Sequence, residues 1–404
     1  MQEWRDVYGM DVLKNDVDES RPLPEWLDGD TADTVRRFHT SMADYAPTPL
    51  LRLDELAGRG GVAAVYVKNE AERFGLNAFK ALGSSFAIGQ EVCRRLGLDV
   101  RRHGMADLLE PKWRQQIAGL TFATATDGNH GRGVAWTAHL LGCRAFVYMP
   151  RGSEPERVAA IRDLGAVVQV TDVSYDETVA LAAAEAAANG WVLVQDTSFD
   201  GYEDIPRAII QGYSTIASEV ADELRAQGKT PTHIFLQAGV GSMAGGLAAC
   251  YLREFAAAAP KIVILEPKNV ACCYLSAKAG EDVTVGGVQQ TIMAGLNCGT
   301  PCPLIMPILR QRADFFMACP DFVAAHGMRL AERPLGDDPR FVSGESGAIG
   351  LGAAALLLMR PEPADVRAAM GIGADSVLLV LNTEGAMAPS VWRRVVEQGE
   401  YPLP

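Results

Sequence analysis

The sequence is poor in cysteine, with 8 among 404 residues, and contains no Cys-x-x-Cys pair. That scarcity excludes a disulfide scaffold and the common zinc and redox motifs. Positive charge is also short, since 37 Lys and Arg face 50 Asp and Glu for a formal net charge of −13. A surface of that sign repels phosphate backbones and anionic headgroups, so neither nucleic acid nor a membrane is expected as a partner. No apolar run reaches the roughly 18 residues that span a bilayer. Residues 1–6 lack the basic start and apolar stretch of a signal peptide, which makes the cytoplasm the expected location. Fixed-period repeats and homopolymeric tracts are missing too.

What is present is an ordinary globular composition, 48% apolar and 22% charged, long enough at about 150 residues per domain for two or three domains. From about Tyr66 onward, short β-branched apolar runs alternate with Ala-rich helical stretches, the rhythm of βαβ units around a parallel sheet. The fold class is therefore α/β. Strands are expected at 64–68, 121–124, 145–149, 167–170, 192–195, 233–237, 262–265 and 377–381. Helices are expected at 82–95, 131–141, 154–164, 174–189, 208–227, 245–258 and 347–359. Residues 1–50, with Pro22, Pro24, Pro47 and Pro49, read as an arm wrapped on the surface, and residues 98–120 read as an insertion.

Four segments at strand-to-helix junctions carry residues that suit chemistry better than packing. In Asn77-Ala78-Phe79-Lys80-Ala81, a lysine sits among apolar neighbours at a helix start. It either snorkels to solvent or has its pKa lowered by enclosure and reacts as an amine. Thr126-Asp127-Gly128-Asn129-His130-Gly131 follows an apolar strand, and offers backbone donors, an amide and a carboxylate, or else a plain helix cap. Gly239-Val240-Gly241-Ser242-Met243-Ala244 opens a helix after a strand, the arrangement of a phosphate cradle. The same glycines fit a dinucleotide fingerprint, with Glu266 27 residues after Gly239 as the ribose-binding acid, so a nicotinamide-dependent oxidoreductase is the rival reading. Ser343-Gly344-Glu345-Ser346-Gly347 and Asn382-Thr383-Glu384-Gly385 are hydroxyl- and carboxylate-bearing turns that otherwise serve as caps. The cysteines Cys272, Cys273, Cys298, Cys302 and Cys319 gather in a stretch rich in Gly and Pro, where a disulfide or metal site is a minority expectation beside plain packing.

Taken together and in this order, these segments resemble the fold type II pyridoxal-phosphate enzymes, the group of serine and threonine dehydratases and the tryptophan synthase β chain. Within it the run from Thr126 to Trp136, with Asp127 where many relatives have serine, resembles the diaminopropionate ammonia-lyase family. Gln195-Asp196-Thr197-Ser198-Phe199-Asp200-Gly201-Tyr202 adds to that resemblance, which covers about residues 40–390. It implies two parallel-sheet domains with the cofactor between them, a large one of residues 1–85 and 201–404 and a smaller mobile one of residues 86–200. It implies that Lys80 carries pyridoxal 5'-phosphate covalently and Asn129 contacts its phenolic oxygen. Gly239, Val240, Gly241, Ser242 and Met243 would hold the phosphate, and Thr383 would meet the pyridine nitrogen, with Asn382 as competitor.

The implied reaction is α,β-elimination of 2,3-diaminopropionate to pyruvate and two ammonia. Lys80 would serve as base for the L isomer and Asp127 for the D isomer, or Asp127 would only attract the cationic substrate. Asp196 would bind the β-ammonium or assist its protonation. No metal is implied, and the assembly expected from relatives is a homodimer acting on a small amino acid. A serine or threonine dehydratase is the nearest alternative function, and a cofactor-binding regulatory protein without turnover the remotest.

Overall fold

A computed structural model of the chain describes residues 1–286 and 290–404. These residues form twelve strands: β1 (Gln2–Val7), β2 (Met10–Lys14), β3 (Leu50–Arg52), β4 (Ala64–Asn69), β5 (Thr121–Ala125), β6 (Arg144–Met149), β7 (Val167–Val170), β8 (Val192–Leu193), β9 (His233–Gln237), β10 (Lys261–Pro267), β11 (Phe315–Cys319) and β12 (Val377–Asn382). Contacts divide the chain into two compact units.

The first unit comprises Met1–Glu25, Thr48–Glu72 and Ile216–Pro404. Its eight-stranded sheet runs β1-β2-β11-β10-β9-β12-β4-β3. The five central strands are parallel, whereas β2 joins β11, and β3 joins β4, in antiparallel fashion. Every residue of β9, β11 and β12 is buried, as expected where helices cover both faces of a parallel sheet. Phe235, Val263, Leu265, Phe315 and Val380 are part of that core, together with the apolar helix Ile349–Met359. The N-terminal segment corrects the expected surface arm: β1 and β2 form a hairpin that extends the sheet from β11.

The second unit comprises Trp26–Pro47 and Arg73–Thr215 around an all-parallel sheet ordered β7-β6-β5-β8. Residues 73–85 and 201–215, grouped with the larger domain on sequence grounds, pack here, and the reason is a close helix crossing. A Cβ on Gly212 would come within 2.5 Å of the Leu82 carbonyl, and one on Gly83 within 2.6 Å of the Tyr213 ring, so glycine at both positions lets Ala81–Leu96 lie against Asp204–Gly212. The single helix expected at 208–227 is two helices, Asp204–Gly212 and Ser214–Ala226, broken at Tyr213. The strand expected at 192–195 stops at Leu193, because Gln195 turns its groups toward other partners. The expected insertion at 98–120 folds as short helical turns, Met105–Leu108, Pro111–Trp113 and Arg114–Ile117. Among the described residues no helix is long and apolar enough to cross a membrane.

Candidate active site

In the second unit the chemistry gathers past the carboxyl ends of β5 and β8, which are parallel neighbours. Thr126 Oγ1 accepts from the N–H groups of Gly128 and Gly131 at 2.9 and 3.0 Å, which folds the turn after β5 and starts the helix Asn129–Leu141. Gly128 sits at φ +150°, a conformation that L side chains rarely adopt. Past β8, Gln195 Oε1 accepts from Ala125 N at 3.0 Å and from Thr124 Oγ1 at 3.2 Å, while the Tyr202 hydroxyl accepts from Gln195 N and donates to Leu193 O, both at 2.9 Å. Asp196 is thereby fixed beside the β5 turn.

Lys80, just before Ala81–Leu96, donates from Nζ to Asp196 Oδ2 at 2.6 Å. Burial pulls the Lys80 ammonium down, but the charges of Asp196, Tyr213 and Asp127 and the hydrogen bond to Asp196 outweigh it, and the net shift is upward. This corrects the expectation of a lysine lowered by enclosure, because enclosure came with a carboxylate. Burial likewise raises Asp196, and Lys80 and His130 reverse that, holding the carboxyl down at about 2. His130 Nε2 lies 2.7 Å from Val194 O, a pure acceptor, so Nε2 carries the proton, and Nδ1 faces Asp196 Oδ2 at 4.0 Å. Burial lowers the His130 pKa, which keeps that ring neutral. Asn129 is buried at the first residue of its helix.

In the first unit the glycine turn follows β9. Gly241, at φ +90°, leads into the helix Ser242–Glu254, which starts three residues before the expected 245 and so takes Ser242 and Met243 into its first turn. The first N–H groups of such a helix have no intrahelical acceptor and lie at the positive end of its dipole. A Cβ on Gly241 would stand 3.1 Å from both Cys273 Sγ and Leu309 Cδ1. The cysteine cluster therefore packs around this turn: Cys272 Sγ donates to Gly239 O at 3.5 Å and Cys302 N to Val240 O at 2.7 Å. All eight cysteines are free thiols.

Glu266 is fully buried, with its two carboxylate oxygens accepting from Cys273 N at 2.8 Å and Tyr274 N at 2.7 Å. Burial pushes its pKa up to about 8 against those bonds. A carboxylate so occupied is not placed for a ribose, and the dinucleotide reading fails there. At the end of β12, the neighbour of β9, Asn382 donates to Asn69 Oδ1 at 2.7 Å and Val342 O at 3.0 Å and accepts from Ser343 at 2.7 Å. Thr383 Oγ1 accepts from Gln237 Nε2 at 3.0 Å. Glu384 binds the Ser346 N–H at 2.9 Å, so the two late turns tie to each other as well as ending their elements.

Residues 42–371 match the family described as pyridoxal-phosphate dependent enzyme. The chain belongs to that family. Pyridoxal phosphate is its cofactor, and its fold is that of fold type II. Among its relatives in the pyridoxal-phosphate dependent group, the diaminopropionate ammonia-lyase of Escherichia coli (strain K12) is 46% identical over 370 residues, 92% of each chain. That of Salmonella typhimurium is 42% identical over 377 residues, 92% of this chain and 93% of the other. The Escherichia coli enzyme in complex with an aminoacrylate-PLP azomethine reaction intermediate superimposes with a TM-score of 0.91, at 43% identity and 98% coverage of both chains.

Of the residues singled out from sequence, the structure brings Lys80 and Asp196 into contact, with Asp127 close enough to act on both Lys80 and His130. It joins Thr383 to the last residue of β9, ahead of Gly239. Three further contacts emerge only from the fold. Tyr213 packs its ring 4.9 Å from that of Phe79 at a tilt of 58°, Gln195 fastens the Asp196 segment, and Gln237 holds Thr383. His130 and Gln195 lie within motifs already marked, and Gln237 stands two residues before another.

Proposed function

We propose that this chain is a diaminopropionate ammonia-lyase, converting 2,3-diaminopropionate of either configuration and water into pyruvate and two ammonia. The observation that carries the reading is one half-buried amine, Lys80, beside two carboxylates, Asp196 and Asp127, in a chain similar to named ammonia-lyases over nearly its whole length. A substrate with two amines needs anionic groups to receive it, and a dehydratase acting on serine does not.

The residues fit the cofactor. Lys80 is the amine that takes its aldehyde, and Asn129 the amide for its phenolic oxygen. The N–H groups of residues 239–243 suit a phosphate, since the turn is left-handed at Gly241 and opens a thirteen-residue helix. Thr383 is favoured over Asn382 for the pyridine nitrogen because the Asn382 amide is already engaged by Asn69, Val342 and Ser343. When bound, pyridoxal phosphate supplies the electron withdrawal that acidifies the substrate α-carbon.

The chain's own groups then move the protons. The Lys80 amine takes the α-proton of the L isomer and Asp127 takes that of the D isomer from the other face. Asp196 holds the β-ammonium and keeps Lys80 aimed. Neutral His130 lines the site beside Asp196, with its Nδ1 lone pair 4.0 Å from Oδ2. The aminoacrylate that leaves hydrolyses to pyruvate and the second ammonia. The acidic surface and free thiols suit a reducing cytoplasm, and the reading includes a homodimer, which sedimentation checks. Parallel assays of D- and L-diaminopropionate and of serine test the whole. Both diaminopropionate isomers should outpace serine, and preferred turnover of serine would make the chain a dehydratase instead.

A further inference from the structure

Gln237 is 1% exposed and ends β9, and its side chain reaches the end of the adjacent parallel strand β12. Its Nε2 lies 3.0 Å from Thr383 Oγ1, 3.1 Å from Leu381 O, 3.3 Å from Ser346 O and 3.4 Å from Gly347 O. Three of those four atoms are carbonyl oxygens, which only accept, so the amide must present its NH₂ and not its oxygen to them. The consequence falls on the fourth. An amide nitrogen cannot accept, so Thr383 Oγ1 receives a hydrogen bond from Gln237 and its own hydrogen points elsewhere. Among the described residues Thr383 Oγ1 makes no second hydrogen bond.

We infer that Gln237 is a positioning residue which fixes the Thr383 hydroxyl as a donor toward the cofactor. This rests on the reading of Thr383 as the partner of the pyridine nitrogen. With one lone pair taken by Gln237 and no other acceptor for its hydrogen among the described residues, the hydroxyl is left to donate, which requires a lone pair on the nitrogen it meets, so Gln237 favours the unprotonated cofactor ring. The ring then withdraws charge weakly, which suits an elimination whose leaving group departs early. Gln237 touches neither substrate nor cofactor and acts only through the hydroxyl. The second amide hydrogen is shared among the three carbonyls, so the orientation of the amide does not depend on Thr383.

The test is the nitrogen-15 resonance of ring-labelled pyridoxal phosphate bound to the whole enzyme, in the parent, Gln237→Met and Thr383→Val. The parent should show an unprotonated, hydrogen-bonded pyridine whose shift is constant across the pH range of activity. Gln237→Met frees the hydroxyl to turn, so the resonance should move toward the pyridinium position and begin to titrate. Cofactor dissociation should also rise about threefold to tenfold, the worth of one hydrogen bond. A purely structural role would lower stability without moving that resonance. If Thr383→Val shifts the resonance and Gln237→Met leaves it unmoved, the inference is overturned while the placement of Thr383 stands. If Thr383→Val itself changes nothing, that placement is at fault. Should Gln237→Met not fold, the spectrum of the parent enzyme still discriminates: an unprotonated nitrogen supports the inference and a protonated one overturns it.

Discussion

Two lysines are enclosed with carboxylates in this chain, one in each unit, and their surroundings differ in a way that separates support from chemistry. Lys68, in β4, is fully buried and spends its three hydrogens on Thr48 O at 2.6 Å, Glu219 at 2.8 Å and Glu223 at 3.0 Å. Every donor of that ammonium is used, and it cannot turn without breaking an ion pair. Lys80 makes one such bond, to Asp196, among the described residues, and lies in a connection before a helix instead of within a strand. A lysine with spare donors and one carboxylate is able to exchange partners. A charged neighbour is therefore common to both, and what tells them apart is the saturation of the donor set, together with the 17% exposure of the Lys80 side chain against 0% for Lys68.

The sharpest way to break the comparison is to remove each lysine in turn. Lys80→Ala should cut turnover of diaminopropionate by about 10³-fold or more, beyond the usual loss of a general base since the covalent attachment goes too. The visible absorbance of the bound cofactor should vanish, and the thermal midpoint should fall less than for Lys68→Met, since one carboxylate is stranded instead of two. Lys68→Met should do the reverse, lowering stability by about 3–5 kcal/mol through the stranded Glu219 and Glu223 while the folded fraction keeps its turnover. Calorimetry and steady-state rates on the same two preparations decide it.

Asp196→Asn should reduce turnover about 10²-fold, and it also has an acid signature. Its carboxyl is held at about 2, below its ordinary value, by Lys80 and His130 against burial. A carboxyl so lowered adds stability that is complete above pH about 4 and is lost as pH falls through about 2. Acid unfolding of the cofactor-free protein should thus be less steep in that window for Asp196→Asn than for the parent. The smallest effect is the most selective. Asp127→Asn should lose more than about tenfold of D-isomer turnover and keep appreciable L activity, and equal losses would mean that Asp127 attracts substrate without serving as a base.

The central strands of both sheets are legible in the sequence because residues such as 145–149 and 377–381 are apolar throughout, and so are the glycine turns, whose conformation is written in one residue. The edge hairpin β1-β2 is not, since strands half open to solvent mix polar and apolar residues and need β11 to define them. β11 itself is hidden by the Cys- and Pro-rich run before it, which reads as loop. Lys80 is marked by its neighbours Phe79 and Ala81. Its partner lies 116 residues on, and no local pattern announces that pairing or its upward effect on the amine. Gln237 and Thr383 are likewise 146 residues apart, joined because parallel strands bring their carboxyl ends together.

The proposed chemistry depends on the identity of one amine. Borohydride reduction of the purified enzyme, followed by digestion and mass spectrometry, should place the reduced pyridoxyl group on the peptide containing Lys80 and leave the Lys68 peptide unmodified. A label on Lys68 or on any other lysine, with Lys80 bare, would contradict it.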